Sequence, residues 1–224
     1  MSSHILFHDY ILFMSLLLII SFPLGYLSFY STFSRRPLDI SKMIKINTLR
    51  CIIYYLISII IASVLGTIFF YEIMYVSLIN TSLFNIVSTG ILFSIIALVL
   101  EIIVGKFLTR RKIQTDIIAY EIVSTNVFLE NLLIIFVIPI IEEYLFRGII
   151  FSATLWATNS IIFSIIFSSV TFGLAHGSLG FKVVIQKSIT GVLLSMTLII
   201  TNYSLLAPII CHLFENILIL YFFQ

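Results

Sequence analysis

Two adjacent carboxylates and a guanidinium lie inside a long apolar segment of this 224-residue chain, at Glu142, Glu143 and Arg147. The segment runs from about residue 127 to 156, which is long enough to cross a bilayer. Each ionisable group at the centre of a membrane helix costs about 2.5–3.5 kcal/mol on insertion scales. A sequence that keeps three such groups at this depth is therefore expected to use them.

The spacing of these three groups assigns them different tasks. Glu143 and Arg147 are four residues apart, so on a helix they share one face. An unpaired guanidinium in a membrane is costly and does not lose its proton easily, so these two side chains are expected to pair. Glu142 is rotated by about 100° from Glu143 and has no evident local partner. It is therefore the candidate general base or acid.

Two further pairs of side chains occur at helical spacing on later apolar segments. Phe172 and His176 are four residues apart on one segment, and His212 and Asn216 are four apart on another. Together with Glu142, groups from three helices are able to converge on one water. In that arrangement Glu142 would activate the water, the histidines would bind a divalent metal or hydrogen-bond the oxyanion, and Asn216 would stabilise the developing charge.

A metal site and a metal-free site are both compatible with this pattern. Two histidines and a glutamate match a catalytic zinc site with one open position, with Glu142, His176 and His212 as the ligands. The same three residues also form a metal-free glutamate site. Taken singly, each histidine serves equally well as an interhelical hydrogen-bond donor. The functional interpretation therefore depends on the three clusters together.

The composition is that of a polytopic membrane protein. The chain is 61% hydrophobic and 10% charged, with a mean hydropathy of +1.20, whereas soluble domains average about 25% charged residues. A net charge of +2 is too small to suggest binding to nucleic acid. The two cysteines are far from any Cys-x-x-Cys spacing, so neither a disulfide scaffold nor a cysteine zinc site is indicated.

We predict an all-α fold, a transmembrane bundle of about seven helices, within a range of six to eight. Each apolar segment is near the roughly 20 residues that cross a bilayer as a helix. The predicted spans are residues 9–30, 51–71, 86–107, 127–156, 159–176, 183–202 and 205–223.

The basic residues predict the orientation of the bundle. All lysines and arginines except Arg147 lie at or beside the connections that follow spans one, three and five. Lys187 is counted with the connection after span five. The connections after spans two, four and six contain no lysine or arginine. The positive-inside rule makes the basic side cytoplasmic, with the N-terminus outside and the C-terminus inside. Glu101 is expected to be an interfacial or loop charge. This topology puts His176 near the cytoplasmic end and His212 nearer the outside, unless a helix is tilted, re-entrant or miscounted.

The three clusters resemble the motifs of a known enzyme family, in the same order. Glu-Glu-x-x-x-Arg at 142–147, Phe-x-x-x-His at 172–176 and His-x-x-x-Asn at 212–216 are similar to those of the CAAX protease and bacteriocin-processing (CPBP, or Abi) family. Its members are polytopic intramembrane endopeptidases related to the Ras-converting CAAX prenyl endopeptidases. The resemblance covers about residues 125–220. It divides the chain into N-terminal transmembrane helices with basic loops, 1–124, and a protease core, 125–224.

The resemblance implies a role for each motif residue. Glu142 is the glutamate that activates water, and His176 and His212 complete the site. The metal, if one is used, is a divalent ion such as zinc, and a metal-free glutamate mechanism has also been proposed for the family. The remaining motif residues are Asn216, which supports the oxyanion, and Glu143, Arg147 and Phe172, which hold the geometry.

An intramembrane endopeptidase in a bacterial cell membrane is the leading hypothesis. Its substrate would be a membrane-associated peptide or protein, in peptide maturation, the processing of a signalling peptide or bacteriocin self-immunity. One alternative is a non-enzymatic immunity or scaffold protein with the same fold. Another is a proton-coupled transporter, in which buried Glu, His and Arg also serve. The absence of Gly- and Pro-broken segments in matching halves counts against the transporter.

Overall fold

The computed structural model describes residues 44–109, 120–123, 127–177 and 181–223. The first predicted span, residues 9–30, lies outside them. Within the described residues six helical stretches form a bundle, and they correspond to the other six predicted spans. They are α1 (Thr48–Phe70), α2 (Leu83–Thr109), α3 (residues 127–158), α4 (Ile161–Ala175), α5 (Phe181–Ile200) and α6 (Leu206–Phe223).

The helix α3 is continuous but changes its winding twice. Its α-helical parts are Val127–Leu132, Ile138–Glu143 and Phe151–Thr158, and π-helical turns at Leu133–Val137 and Tyr144–Ile150 join them. The first π turn precedes Pro139, which has no N–H to continue the α-helical ladder. The second follows the two glutamates directly and contains Arg147. Single π turns within helices are frequent at functional sites.

The connections meet in pairs at opposite ends of the bundle. At one end, strand β1 (Ile44–Asn47) before α1 pairs in parallel with β2 (Tyr120–Val123) before α3. At the other end, the α1–α2 connection joins the α5–α6 turn, since Ser77 N donates to Tyr203 O at 3.2 Å and Leu205 N donates to Ser77 O at 2.8 Å. This pairing agrees with helices that cross in alternate directions. The all-α prediction is confirmed for the bundle, to which the structure adds this short two-stranded ladder.

The bundle has the surface of a protein embedded in lipid. In the described part of the chain, three helices are long and apolar enough to cross a membrane by length and composition, namely α1, α2 and α5. Large apolar side chains such as Phe84 and Ile162 are exposed on the outside, whereas Glu143, Arg147 and Ser168 are buried inside. The chain is an integral membrane protein, and the predicted orientation of its termini stays a prediction.

The helix α4 is shorter than a full membrane span. This helix has 15 residues, which corresponds to about 22 Å, less than the roughly 30 Å of the hydrocarbon layer. It therefore ends before it crosses the layer fully, and His176 caps it. His212 lies in the second turn of the 18-residue α6. His176 and His212 nevertheless lie at the same depth, because Nε2 of each is within 3.8 Å of the Glu142 carboxylate. The difference in depth that simple crossings predict is therefore not observed.

Candidate active site

Glu142 lies where four helices meet. The hydroxyl of Tyr55, on α1, donates a hydrogen bond to Oε1 of Glu142. The Nε2 atom of His176 lies 3.8 Å from the same oxygen, and Nε2 of His212 lies 3.7 Å from Oε2. The structure therefore brings together the three residues in which the sequence predicts the chemistry, from α3, α6 and the C-terminal end of α4.

Each of the two imidazoles is held by a contact of its Nδ1 atom. Nδ1 of His176 is 2.9 Å from the carbonyl oxygen of Phe172, and Nδ1 of His212 is 2.9 Å from Oε1 of Glu143. A carbonyl and a carboxylate accept hydrogen bonds, so both Nδ1 atoms carry the proton. Such contacts fix the tautomer and the orientation of a histidine ring. Each Nε2 atom is thereby placed beside the Glu142 carboxylate.

The expected pair of Glu143 and Arg147 is confirmed, but it has more members than the spacing suggests. Nη1 of Arg147 lies 3.2 Å from Oε1 of Glu143, and both side chains are fully buried. Nη2 of Arg147 donates to the carbonyl oxygen of Gly191, on α5, at 3.0 Å. Because Oε1 of Glu143 also accepts from His212, the ion pair is part of the support for the site and does not merely neutralise itself.

The ring of Phe172 is packed among the charged groups. Its centroid lies 4.9 Å from that of His176 and 5.7 Å from that of His212, both edge-on. The guanidinium carbon of Arg147 lies over the ring at 4.6 Å from the centroid. A cation over an aromatic face is attracted by the ring quadrupole. Phe172 thus contacts both histidines and the arginine, which fits the supporting role that the resemblance implies.

The side chain of Asn216 forms a hydrogen bond away from the Glu142 carboxylate. Its side-chain amide donates to the carbonyl oxygen of Ile134 at 3.1 Å. That carbonyl lies in the first π turn of α3, where the N–H of Ile138 donates to Leu133 O instead, and Pro139 has no N–H to offer. The amide therefore satisfies a carbonyl that the helix leaves free. The predicted contact of Asn216 with an oxyanion stays a prediction.

Tyr55 is a site residue that sequence reasoning missed. It is one of 11 tyrosines in the chain, and it lies on a helix outside the three motifs. No spacing rule links residue 55 to residue 142, because only the packing of α1 on α3 brings them together. That packing includes a 2.8 Å hydrogen bond between Oγ1 of Thr67 and Oη of Tyr144.

A second ionic cluster joins α2, α5 and α6. Nζ of Lys187 lies 2.6 Å from Oε1 of Glu101 and 3.6 Å from Oε1 of Glu215, and Thr190 donates to Glu101 at 3.1 Å. Two expectations are corrected here. Lys187 is within α5 and not in a connection, and Glu101 is a partner of Lys187 inside the bundle and not a loop charge. The cluster also contains Glu215, to which the sequence pattern assigned no role.

The predicted zinc site receives only partial support from the geometry. The two Nε2 atoms and the Glu142 carboxylate are donors of the types that zinc takes. Among the described residues, however, no three His, Cys, Asp or Glu side chains form a group arranged to hold a metal ion. In addition, one oxygen of Glu142 already accepts from Tyr55. The arrangement does not fit a bound ion as it stands, so we derive no step through a metal.

Comparison with known proteins matches the part of the chain that carries the three motifs. Residues 124–218 match the family model described as type II CAAX prenyl endopeptidase Rce1-like. This part of the chain is similar to that family. The Rce1-like segment contains Glu142, His176 and His212, and Tyr55 and Glu101 lie outside it. No curated protein and no solved structure matches the chain. The family match supports a CAAX-type intramembrane protease activity in general terms.

Proposed function

We propose that this protein is an intramembrane endopeptidase in which Glu142 activates the water that attacks a peptide bond. One observation carries the proposal: the carboxylate of Glu142 is buried in a membrane bundle with an anchored imidazole on each side, at 3.8 Å and 3.7 Å. These separations exceed a hydrogen bond. The carboxylate and the imidazoles are therefore close without being hydrogen-bonded to one another, and all three are able to bind a common water.

The proposed reaction assigns each group one task. Glu142 takes a proton from water as the hydroxide attacks the peptide carbonyl, and then passes that proton to the departing amine. His212 has a carboxylate at each ring nitrogen, so in its protonated form it can donate to the oxyanion through Nε2 while Nδ1 stays on Glu143. His176, held on a neutral carbonyl, presents Nε2 as an acceptor that orients the water.

The exposure of the site supports access from one end of the bundle. The side chain of His176 is 16% exposed, whereas that of Glu142 is 2% exposed. His176 caps the end of α4 that leads into the α4–α5 connection. In the predicted topology this end is cytoplasmic. We therefore propose that a membrane-associated peptide or protein reaches the site from the cytoplasmic side, in peptide maturation, signalling-peptide processing or bacteriocin self-immunity.

Mass spectrometry of cleaved membrane peptides tests the proposal. Cells that lack the protein are supplied with wild type, Glu142→Gln or Glu72→Gln, and the peptides of the membrane fraction are compared. Glu72 is an exposed glutamate, so it controls for the substitution itself. We expect specific cleavage products with wild type and Glu72→Gln, and at least about a 100-fold loss with Glu142→Gln. His176→Ala and His212→Ala should lose the same products.

The alternatives predict different results. If Glu142→Gln leaves every cleavage product in place, the endopeptidase proposal is wrong. A scaffold or immunity protein would keep its phenotype with all three substitutions, because they remove chemistry and little packing. A proton-coupled transporter would instead show ion-dependent flux in vesicles that Glu142→Gln abolishes, without any change in the peptides.

A further inference from the structure

The first helix of the described chain supplies a side chain to the reacting carboxylate. Tyr55 is on α1, which lies outside the Rce1-like segment. Its hydroxyl donates to Oε1 of Glu142, and its ring lies 6.4 Å, between centroids, from the ring of His176. None of the three motifs contains this residue. Its position raises the question of what a donor on Glu142 does in the reaction.

The two oxygens of Glu142 have different surroundings. Oε1 accepts from Tyr55 and faces Nε2 of His176 at 3.8 Å. Oε2 faces Nε2 of His212 at 3.7 Å. A carboxylate that accepts a hydrogen bond on one oxygen is restrained in its rotation, and the other oxygen keeps its lone pairs for a new proton. The hydroxyl therefore makes the two oxygens inequivalent.

We infer that Tyr55 is a positioning residue that fixes the plane of the Glu142 carboxylate and leaves Oε2 as the oxygen that accepts the proton from water. This inference rests on the proposed function and adds a residue from outside the motifs. A general base must hold its oxygen within hydrogen-bond reach of the proton it removes. Small displacements from that geometry are costly, about 100-fold in rate for 1 Å.

The helix α1, which carries Tyr55, is packed closely against α3. Ser58 donates to the carbonyl oxygen of Tyr55 at 2.7 Å, one turn later on α1. Farther along α1, Gly66 packs against Ile149 so closely that an added Cβ would lie 2.8 Å from Cγ2. Thr67 forms a hydrogen bond with Tyr144 of α3 at 2.8 Å. A side chain on a packed helix holds a partner more precisely than one on a loop, so α1 is suited to position the base.

The experiment compares two adjacent tyrosines. Purified full-length protein in lipid nanodiscs is assayed with a fluorogenic peptide that spans a cleavage site found in the comparison of wild type with Glu142→Gln. Tyr55→Phe keeps the ring and removes only the hydroxyl. Tyr54→Phe is the matched control, because Tyr54 is half exposed on the outside of the same helix. We expect kcat to fall by about 10- to 100-fold in Tyr55→Phe with KM within twofold, and no change in Tyr54→Phe.

The outcomes separate this inference from the proposed function. If Glu142→Gln cleaves as wild type does, the proposed function fails and this inference fails with it. If Glu142→Gln is inactive but Tyr55→Phe has the wild-type kcat, only the inference is overturned. A parallel loss of kcat, substrate affinity and thermal stability in Tyr55→Phe would indicate a structural role and would also overturn it.

A second variant covers the case in which Tyr55→Phe does not fold. Incorporation of 3-fluorotyrosine at position 55 keeps the size of the side chain and changes the strength of its hydroxyl as a donor. We expect it to alter kcat by at least about twofold at unchanged KM, whereas the same replacement at position 54 has no effect. An unchanged kcat at position 55 would overturn the inference.

Discussion

The Glu143 carboxylate holds His212: Oε1 of Glu143 lies 2.9 Å from Nδ1 of the imidazole, and the same oxygen lies 3.2 Å from Arg147. One carboxylate oxygen thus couples a buried cation to the orientation of a site histidine. Because Glu142 faces Nε2 of His212, two consecutive glutamates flank one ring. The doubled glutamate of the motif has a structural explanation in this arrangement.

Substitution of Glu143 should lower both stability and activity. Glu143→Gln leaves the buried Arg147 without its counter-charge, and breaking a buried pair costs about 3–5 kcal/mol. It also weakens the hold on His212, and loss of such an outer partner typically costs about 10- to 100-fold in activity. We expect both effects. Thermal unfolding in detergent measures the loss of stability, and turnover of the fluorogenic peptide measures the loss of activity.

The double variant Glu143→Gln/Arg147→Met provides the control. It removes the unpaired charge, so part of the lost stability should return, whereas turnover should stay low because His212 still lacks its carboxylate. Recovery of full turnover together with stability would show that Glu143 serves only to neutralise Arg147.

Asn216 is expected to matter for the rate. In the structure its amide donates to Ile134 O on a partly exposed part of α6, and the predicted oxyanion role requires that this bond be exchanged for one to the substrate. Removing one oxyanion donor typically lowers kcat by about 100-fold or more. Asn216→Ala should therefore lower kcat by about 100-fold at similar KM. If Asn216→Ala loses only about 1 kcal/mol of stability and keeps the normal kcat, Asn216 serves only to link α6 to α3, and the oxyanion role is wrong.

Removal of divalent metal should leave the activity in place. One oxygen of the Glu142 carboxylate already accepts from Tyr55, and among the described residues no three His, Cys, Asp or Glu side chains are grouped to hold a metal ion. We therefore expect turnover to survive dialysis against a strong zinc chelator, with less than one equivalent of metal found by elemental analysis of the active protein. Loss of activity on chelation, with recovery on addition of zinc alone, would instead establish the metal mechanism.

Two glycines should respond in opposite ways to the same substitution. In Gly173→Ala the new Cβ would lie 2.0 Å from Oγ of Ser188 and 2.6 Å from the carbonyl oxygen of Val184. The approach of α4 to α5 should therefore be disturbed, at about 1–3 kcal/mol. In Gly148→Ala the nearest atom would be 3.5 Å away, and the alanine should be tolerated or stabilise the helix by up to about 1 kcal/mol.

Thermal unfolding of the two glycine variants in the same detergent measures the difference. Because Phe172 and His176 flank Gly173, the Gly173→Ala variant should also lose activity. Equal unfolding temperatures for both variants would mean that α4 and α5 are not in the close contact that the structure shows.

The sequence by itself determined the class of the protein and half of its site. Hydropathy located the six described helices, because a membrane span must be a nearly continuous run of apolar residues and the polar backbone must be satisfied within it. Ionisable residues inside such runs are rare enough to stand out. Glu142, Arg147, His176 and His212 were therefore visible without any structure, as was the pairing of Glu143 with Arg147 at helical spacing.

Only the tertiary structure decided how the helices contribute to one site. The packing of α4 and α6 against α3 brings His176 and His212 to one carboxylate, and the first π turn of α3 frees the carbonyl that Asn216 binds. The contact of Tyr55 with Glu142 and that of Lys187 with Glu101 join residues more than 80 positions apart. Local spacing carries no information on such contacts, because they depend on how whole helices pack.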